Sequence, residues 1–230
     1  MRKKLKKLLI LIIFIIPTIY IIYIFNNKNN MNYTALGDGY AQGINSYGIE
    51  DYGYSDYLKD HFIEINKLKN YNKNFTNKNM TINSLYNDII SNKHINNTNI
   101  RQLLRNTDIL TLSIGINDLL FKQSIEELNN INFKEIKSQY NLLITEIKKY
   151  YYNDIYIIGY YPNIKVNRKN IDKLNQILKS NRKVIYIDTT FITKNNNKYL
   201  SNYKNIYPNT LGYKEISNKL ILKTSKKLEK

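Results

Sequence analysis

Apolar positions along the chain follow two alternating patterns. Short apolar runs bounded by turn residues predict strands, and apolar residues spaced three and four apart predict helices. Residues 33–36 form such a run and end in Gly37-Asp38-Gly39, a strand entering a tight turn. Tyr54, Tyr57, Leu58, Phe62 and Ile65 carry helical spacing. Residues 67–78 are polar and Asn-rich and predict a loop, 80–82 a short strand, and 85–90 and 99–105 helices. The run D-I-L-T-L-S-I at 108–114 predicts a strand that leads into Gly115-Ile116-Asn117-Asp118. A long amphipathic helix follows over 133–151, then a strand at 155–160, a helix at 170–179, a strand at 183–187 and a closing helix at 211–228. Residues 195–197, three asparagines, predict a polar loop. Strands separated by helices imply crossover connections, hence a parallel sheet covered on both faces and an α/β fold.

The N-terminus departs from both patterns. Residues 1–7 carry five positive charges, and residues 8–25 carry none. Eighteen uncharged residues just reach the ~20 that a helix needs to cross a bilayer. The basic flank predicts a cytoplasmic N-terminus, with Tyr20 and Tyr23 toward the far interface. A cleaved signal peptide competes with this reading, and a buried core helix is the remaining one. Asn26-Asn27-Lys28-Asn29-Asn30 offers no small-residue cleavage pattern and no lipidation cysteine, which favours an uncleaved anchor. The chain then divides into a basic flank (1–7), a transmembrane anchor (8–25), a linker (26–31) and an extracytoplasmic domain (32–230).

Composition narrows the chemistry. At 230 residues and 43% hydrophobic the chain can bury a core. Zero Cys removes disulfides and thiolate chemistry, and two His (His61 and His94) leave little for a zinc site. No metal site, phosphate-binding loop or cofactor is predicted. The net charge of +17 falls to +12 without the five anchor charges (17 − 5). Such a charge could draw the domain to anionic lipid headgroups or wall polymers, or to nucleic acid, but the lysines are dispersed rather than gathered on one helix face, which favours a solvated basic surface with no nucleic-acid partner expected. The heavy use of Asn, Lys, Ile and Tyr reads as an AT-rich coding bias.

In a parallel sheet, ligands bind beyond the carboxyl ends of the strands. Three turn segments belong there: Gly37-Asp38-Gly39, Gly115-Ile116-Asn117-Asp118 and Ile206-Tyr207-Pro208-Asn209. Each alone is ordinary turn or helix-start chemistry. In this order and spacing they resemble the motif blocks of the SGNH (GDSL) hydrolases, a family of serine esterases, lipases and acylhydrolases. T-A-L-G-D-G-Y-A-Q-G at 34–43 resembles the first block, with glycine where the family has its serine. N-M-T-I-N-S-L-Y-N-D-I-I at 79–90 resembles the second, with Ser84 in place of glycine. G-I-N-D at 115–118 matches the third, and Y-P-N-T-L-G-Y at 207–213 resembles the last. The resemblance covers about 32 to the C-terminus. It implies a three-layer α/β/α sandwich of flavodoxin-like form.

The same resemblance places the family's nucleophile at Gly39, its histidine base at Tyr207 and its orienting aspartate at Lys204. Serine hydrolysis needs a hydroxyl, an imidazole to take its proton and a carboxylate to orient that imidazole. Here a hydrogen, a phenol of ordinary pKa ≈ 10 and an ammonium stand in their places. The oxyanion frame is retained in outline: backbone N–H groups at Gly39 and Ser84, and the Asn117 amide. Asp38, Gly115, Asp118, Pro208 and Asn209 would support it. A Ser84–Lys204 pair is the one conceivable substitute nucleophile and base. The expectation is a catalytically degenerate protein that binds an acylated or acetylated glycan or lipid, or a protein partner. A divergent esterase with a relocated nucleophile is the enzyme alternative, and a purely structural anchor domain the third.

Overall fold

The computed structural model describes residues 15–19, 30–121, 131–162, 166, 168–201 and 206–228. Its centre is a five-stranded sheet of β1 (Met31–Gly37), β2 (Leu68–Asn72), β5 (Ile109–Ser113), β6 (Ile155–Ile158) and β7 (Val184–Ile187), ordered β2-β1-β5-β6-β7. Every neighbouring pair is parallel. The two-stranded antiparallel hairpin β3 (His94–Ile95) and β4 (Thr98–Asn99) stands apart from it. The order reverses at β1: the chain leaves β1 for the edge at β2, then crosses back to β5 on the other side. That reversal opens the crevice in which such sheets bind ligands.

Helices cover both faces, as the strand–helix alternation requires. Helix α2 (Tyr54–Glu64) packs against the closing helix α10 (Thr210–Leu228) on one face. Helix α3 (Ile82–Ile90) packs against α6 (Phe133–Ile147), and α6 against α7 (Arg168–Lys179), on the other. Three short helices, α1 (Gly39–Gln42), α4 (Ile100–Arg105) and α5 (Ile116–Leu120), follow β1, β4 and β5. Helical turns α8 (Phe191–Lys194) and α9 (Asn196–Tyr199) lie between β7 and α10, so the asparagines at 195–197 start a helical turn rather than forming a loop.

The central strands read as continuous apolar runs because both faces are buried: all five residues of β5 and all four of β6 are inaccessible. Tyrosine supplies much of the bulk, and buried phenols need partners. The Tyr140 hydroxyl donates to the Leu178 carbonyl at 2.9 Å and ties α6 to α7. Tyr33 shares a hydrogen bond of 2.9 Å with Thr111 across β1 and β5.

Three further expectations change. Residues 68–72 are a strand and not part of a loop: β2 is an edge, pairs on one side only and is half exposed, so its polar sequence L-K-N-Y-N costs little. Residues 80–82 are not a strand, because Thr81 caps α3, accepting the Ser84 N–H at 3.1 Å, and Ser84 Oγ in turn accepts the Thr81 N–H at 2.8 Å. The long helix stops at Ile147 rather than 151, and residues 148–150 form turns. Residues 15–19 are helical, while the rest of the expected anchor at 8–25 lies outside the described residues. Among the described residues no helix is long and apolar enough to cross a membrane.

Leu112 sits in the middle of the sheet and is fully buried. Leu112→Ala is expected to lower unfolding free energy by about 2–5 kcal/mol, read from urea denaturation; a loss under about 1 kcal/mol would place this residue outside a tightly packed core.

Candidate functional site

The crevice is built around one carboxyl group. Asp38 follows β1, caps α1 and is fully buried. Its Oδ1 accepts the Tyr40 N–H at 3.0 Å and the Ser113 hydroxyl at 2.8 Å, and its Oδ2 accepts the Tyr160 hydroxyl. Its own N–H donates to the Ser113 carbonyl at 2.8 Å, and Ser113 Oγ accepts the Ala41 N–H at 3.0 Å. The ends of β1, β5 and β6 are thereby joined at a single side chain. Gly37 permits it: φ is +116°, and a Cβ there would collide with the Ser113 carbonyl. Burial pushes the Asp38 carboxyl up to about 7, against the pull of its three donors, with a smaller push from Asp118.

Gly39, where the nucleophile of the resembled family falls, is covered by Tyr207, where its base falls. A Cβ at position 39 would lie 2.7 Å from two ring carbons of Tyr207 and closer still to its hydroxyl. The two positions therefore converge, and the phenol ring occupies the space that a serine side chain would need. Tyr207 is buried, its ring centre 5.7 Å from that of Tyr40. Tyr40 also meets Tyr160 edge-on at 5.1 Å and Tyr213 at 6.2 Å. Hydroxyls pin this aromatic plug to the main chain: Tyr40 (2.8 Å) and Tyr161 (2.5 Å) both donate to the Ile206 carbonyl, and Tyr213 donates to that of Ile44 at 2.5 Å. Burial raises the phenols of Tyr40, Tyr160, Tyr207 and Tyr213 above the ordinary tyrosine range, so each keeps its proton at neutral pH.

The remaining frame is largely committed to structure. Asn117 Nδ2 donates to the carbonyls of Lys78 (2.9 Å) and Met80 (2.8 Å), which uses both its protons. The Ser84 N–H is taken by the Thr81 hydroxyl, and the Ser84 hydroxyl donates to the Thr81 carbonyl at 2.9 Å. Of the three oxyanion donors expected from the sequence, the Gly39 N–H alone has no acceptor among the described residues. Gly115, at φ +115°, precedes α5, and Asp118 Oδ2 accepts the Ile82 N–H at 3.1 Å, joining α5 to the start of α3. Asn209 Oδ1 accepts the Gly212 N–H at 3.0 Å at the start of α10, while its Nδ2 donates to the Lys198 carbonyl at 2.9 Å. Pro208 lies one residue before that cap, packed at Gly212. Lys204 lies outside the described residues.

Beside the plug opens a cleft of about 380 Å³, lined by Ile44, Lys78, Asn117, Leu120, Phe121 and Tyr207 among others. Neither histidine lines it, and among the described residues no cluster of metal-binding side chains occurs. The aromatic plug was not foreseen from the sequence. Its signal there was Y-Y at 160–161, directly after a buried strand.

No family model and no curated protein matches the chain. Solved structures do. A lipase, Lip_vut3, from a goat rumen metagenome aligns with a TM-score of 0.66 and 21% identity, over 84% of this chain and 97% of its own. A lipase/acylhydrolase from Enterococcus faecalis gives 0.65 and 12%, over 86% and 96%. A carbohydrate esterase family 3 protein from Talaromyces cellulolyticus gives 0.58 and 12%, over 86% and 98%. The chain has the SGNH-hydrolase fold. At these identities the likeness speaks for the fold alone; a glycine and a tyrosine stand where the motif resemblance expects nucleophile and base.

Two predictions follow from the geometry. Gly39→Ser is expected to cost about 1–3 kcal/mol through overpacking, and far less in a Tyr207→Ala background; equal costs in both backgrounds would separate the two residues. For Asp38, the folded group keeps its proton to about pH 7, whereas the unfolded group releases it near pH 3.9. Between those values the native state holds the extra proton, so stability falls as pH rises through the window, by at most about 1.4 kcal/mol per pH unit. Urea midpoints measured from pH 4 to 7.5 should show that decline, and Asp38→Asn should flatten it.

Proposed function

We propose that this chain is a membrane-tethered, extracytoplasmic protein of SGNH fold that binds an acyl- or acetyl-bearing ligand without hydrolysing it. The observation that carries the reading is the Tyr207 ring lying over Gly39. A hydrolase of this architecture needs an attacking oxygen at that point, and here the position has no side chain and no room for one. A buried phenol with a raised pKa is also a poor proton acceptor at neutral pH. The adjoining cleft remains open. Its apolar walls at Ile44, Leu120, Phe121 and Ile206 suit a methyl or acyl chain, and Lys78 and Asn79 add polar groups. The tether rests on the charge-free run at 8–25 behind its basic flank. A protein segment presenting an acyl-like apolar side chain is the other occupant this cleft could accept.

A relocated nucleophile has less support. Ser84 spends its hydroxyl on the Thr81 carbonyl and sits in a helix cap, and Ser113 is fully buried against Asp38.

The full-length protein, treated with a fluorophosphonate probe and with short-chain aryl esters, is expected to show neither labelling nor turnover. Acetylated sugars or lysophospholipids are expected to raise its melting temperature, and Phe121→Asp, at a half-exposed wall position, should abolish the rise. Labelling and turnover lost in Ser84→Ala would establish the esterase instead. Absence of any thermal shift across acylated sugars, lysolipids and acyl-peptides would leave the domain a structural one. External protease digestion of intact cells is expected to remove a C-terminal tag, as the extracytoplasmic placement requires.

A further inference from the structure

A second cleft, of about 390 Å³, lies at the opposite end of β1, between β2, the β3–β4 hairpin and α4. Seven of its twelve lining residues are carboxamides, six Asn and one Gln. Coding bias does not account for this: Asn makes up 37 of the 230 residues, about one in six, but half of this lining. None of the twelve is charged, although 23% of the chain is.

Some of these amides have structural work. Asn32 accepts from Asn70 Nδ2 at 2.8 Å and donates to the Asn106 carbonyl at 2.7 Å. Asn99 caps α4 by accepting the Gln102 N–H at 3.0 Å. Three do not: the side chains of Asn97, Gln102 and Asn106 make no hydrogen bond among the described residues. Asn96 and Asn97, at φ +47° and +61°, form the two-residue turn of the hairpin. That turn sets Asn97 on the cleft wall, with Gln102 and Asn106 from α4 and its end.

We infer that this cleft is a binding site for a neutral saccharide. A carboxamide presents a donor and an acceptor side by side, which matches adjacent sugar hydroxyls that each donate and accept. The absence of a lining cation disfavours phosphorylated or carboxylated ligands, whose charge would be desolvated without compensation. The volume lies within the range of small-ligand pockets. The site is separate from the Tyr207 cleft and does not depend on what that cleft binds.

The test is saturation-transfer NMR on the full-length protein in a non-glycosidic detergent, with cellobiose, maltose and, as the charged control, glucuronic acid. Transfer to at least one neutral disaccharide and none to glucuronate is expected. The combined variant Asn97→Gly, Gln102→Ala, Asn106→Ala removes the three uncommitted amides, and glycine keeps the positive φ at 97. It should bind about tenfold more weakly or not at all, with an unchanged melting temperature, whereas Phe121→Asp should bind as the parent does. No transfer to either disaccharide, transfer to glucuronate of equal strength, or undiminished binding by the combined variant would overturn the proposal.

Discussion

The carboxyl group of Asp38 ties together the carboxyl ends of three neighbouring strands. It receives donors from the turn after β1, from the last residue of β5 and from the segment after β6. An unpaired polar group at such depth would cost several kcal/mol, so the three donors and the acceptor hold one another in place. The point at which the sheet reverses its order is thereby made rigid. The glycine at 39, the loop carried by Asn117 and the plug beneath Tyr207 are all positioned from it.

The groups that shape this frame answer to structural demands, whatever chemistry the site performs. Gly37, Asp38 and Asn117 satisfy backbone geometry and buried hydrogen bonds, and the fold suffers if they change. Positions 39 and 207 face one another across a small gap, so a smaller residue on one side is compatible with a larger one on the other. Glycine opposite tyrosine fills that gap without strain. Glycine at 39 and tyrosine at 207 leave an aromatic wall at this point, with the Tyr40, Tyr161 and Tyr213 hydroxyls turned onto main-chain carbonyls.

Much of this could be read from the amino-acid order, and the failures have physical causes. The buried strands β1, β5 and β6 announce themselves because burial on both faces demands unbroken apolar runs. β2 does not, since an edge strand pairs once and tolerates asparagine and lysine. The Thr81–Ser84 cap resembled a strand because M-T-I has the right residues for one, and the capping exchange depends on three-dimensional closure. At the site, motif order brought 39 and 207 to one turn cluster, and the two lie in contact. The commitment of the Asn117 amide to two carbonyls was not legible, because a side chain's partners lie in loops brought close only by folding. The same holds for the amide cleft, whose walls come from segments up to 74 positions apart, as Asn32 and Asn106 are.

Strand β1 gives the molecule a polarity. Seven residues at about 3.3 Å each separate Met31, where the chain enters the sheet, from the Asp38 turn, a span of roughly 23 Å. Met31 therefore lies at one pole of the domain, and the plugged mouth looks out from the other. The carboxamide cleft, beside Asn32, shares the pole of Met31, so the two clefts open at opposite ends of the same strand.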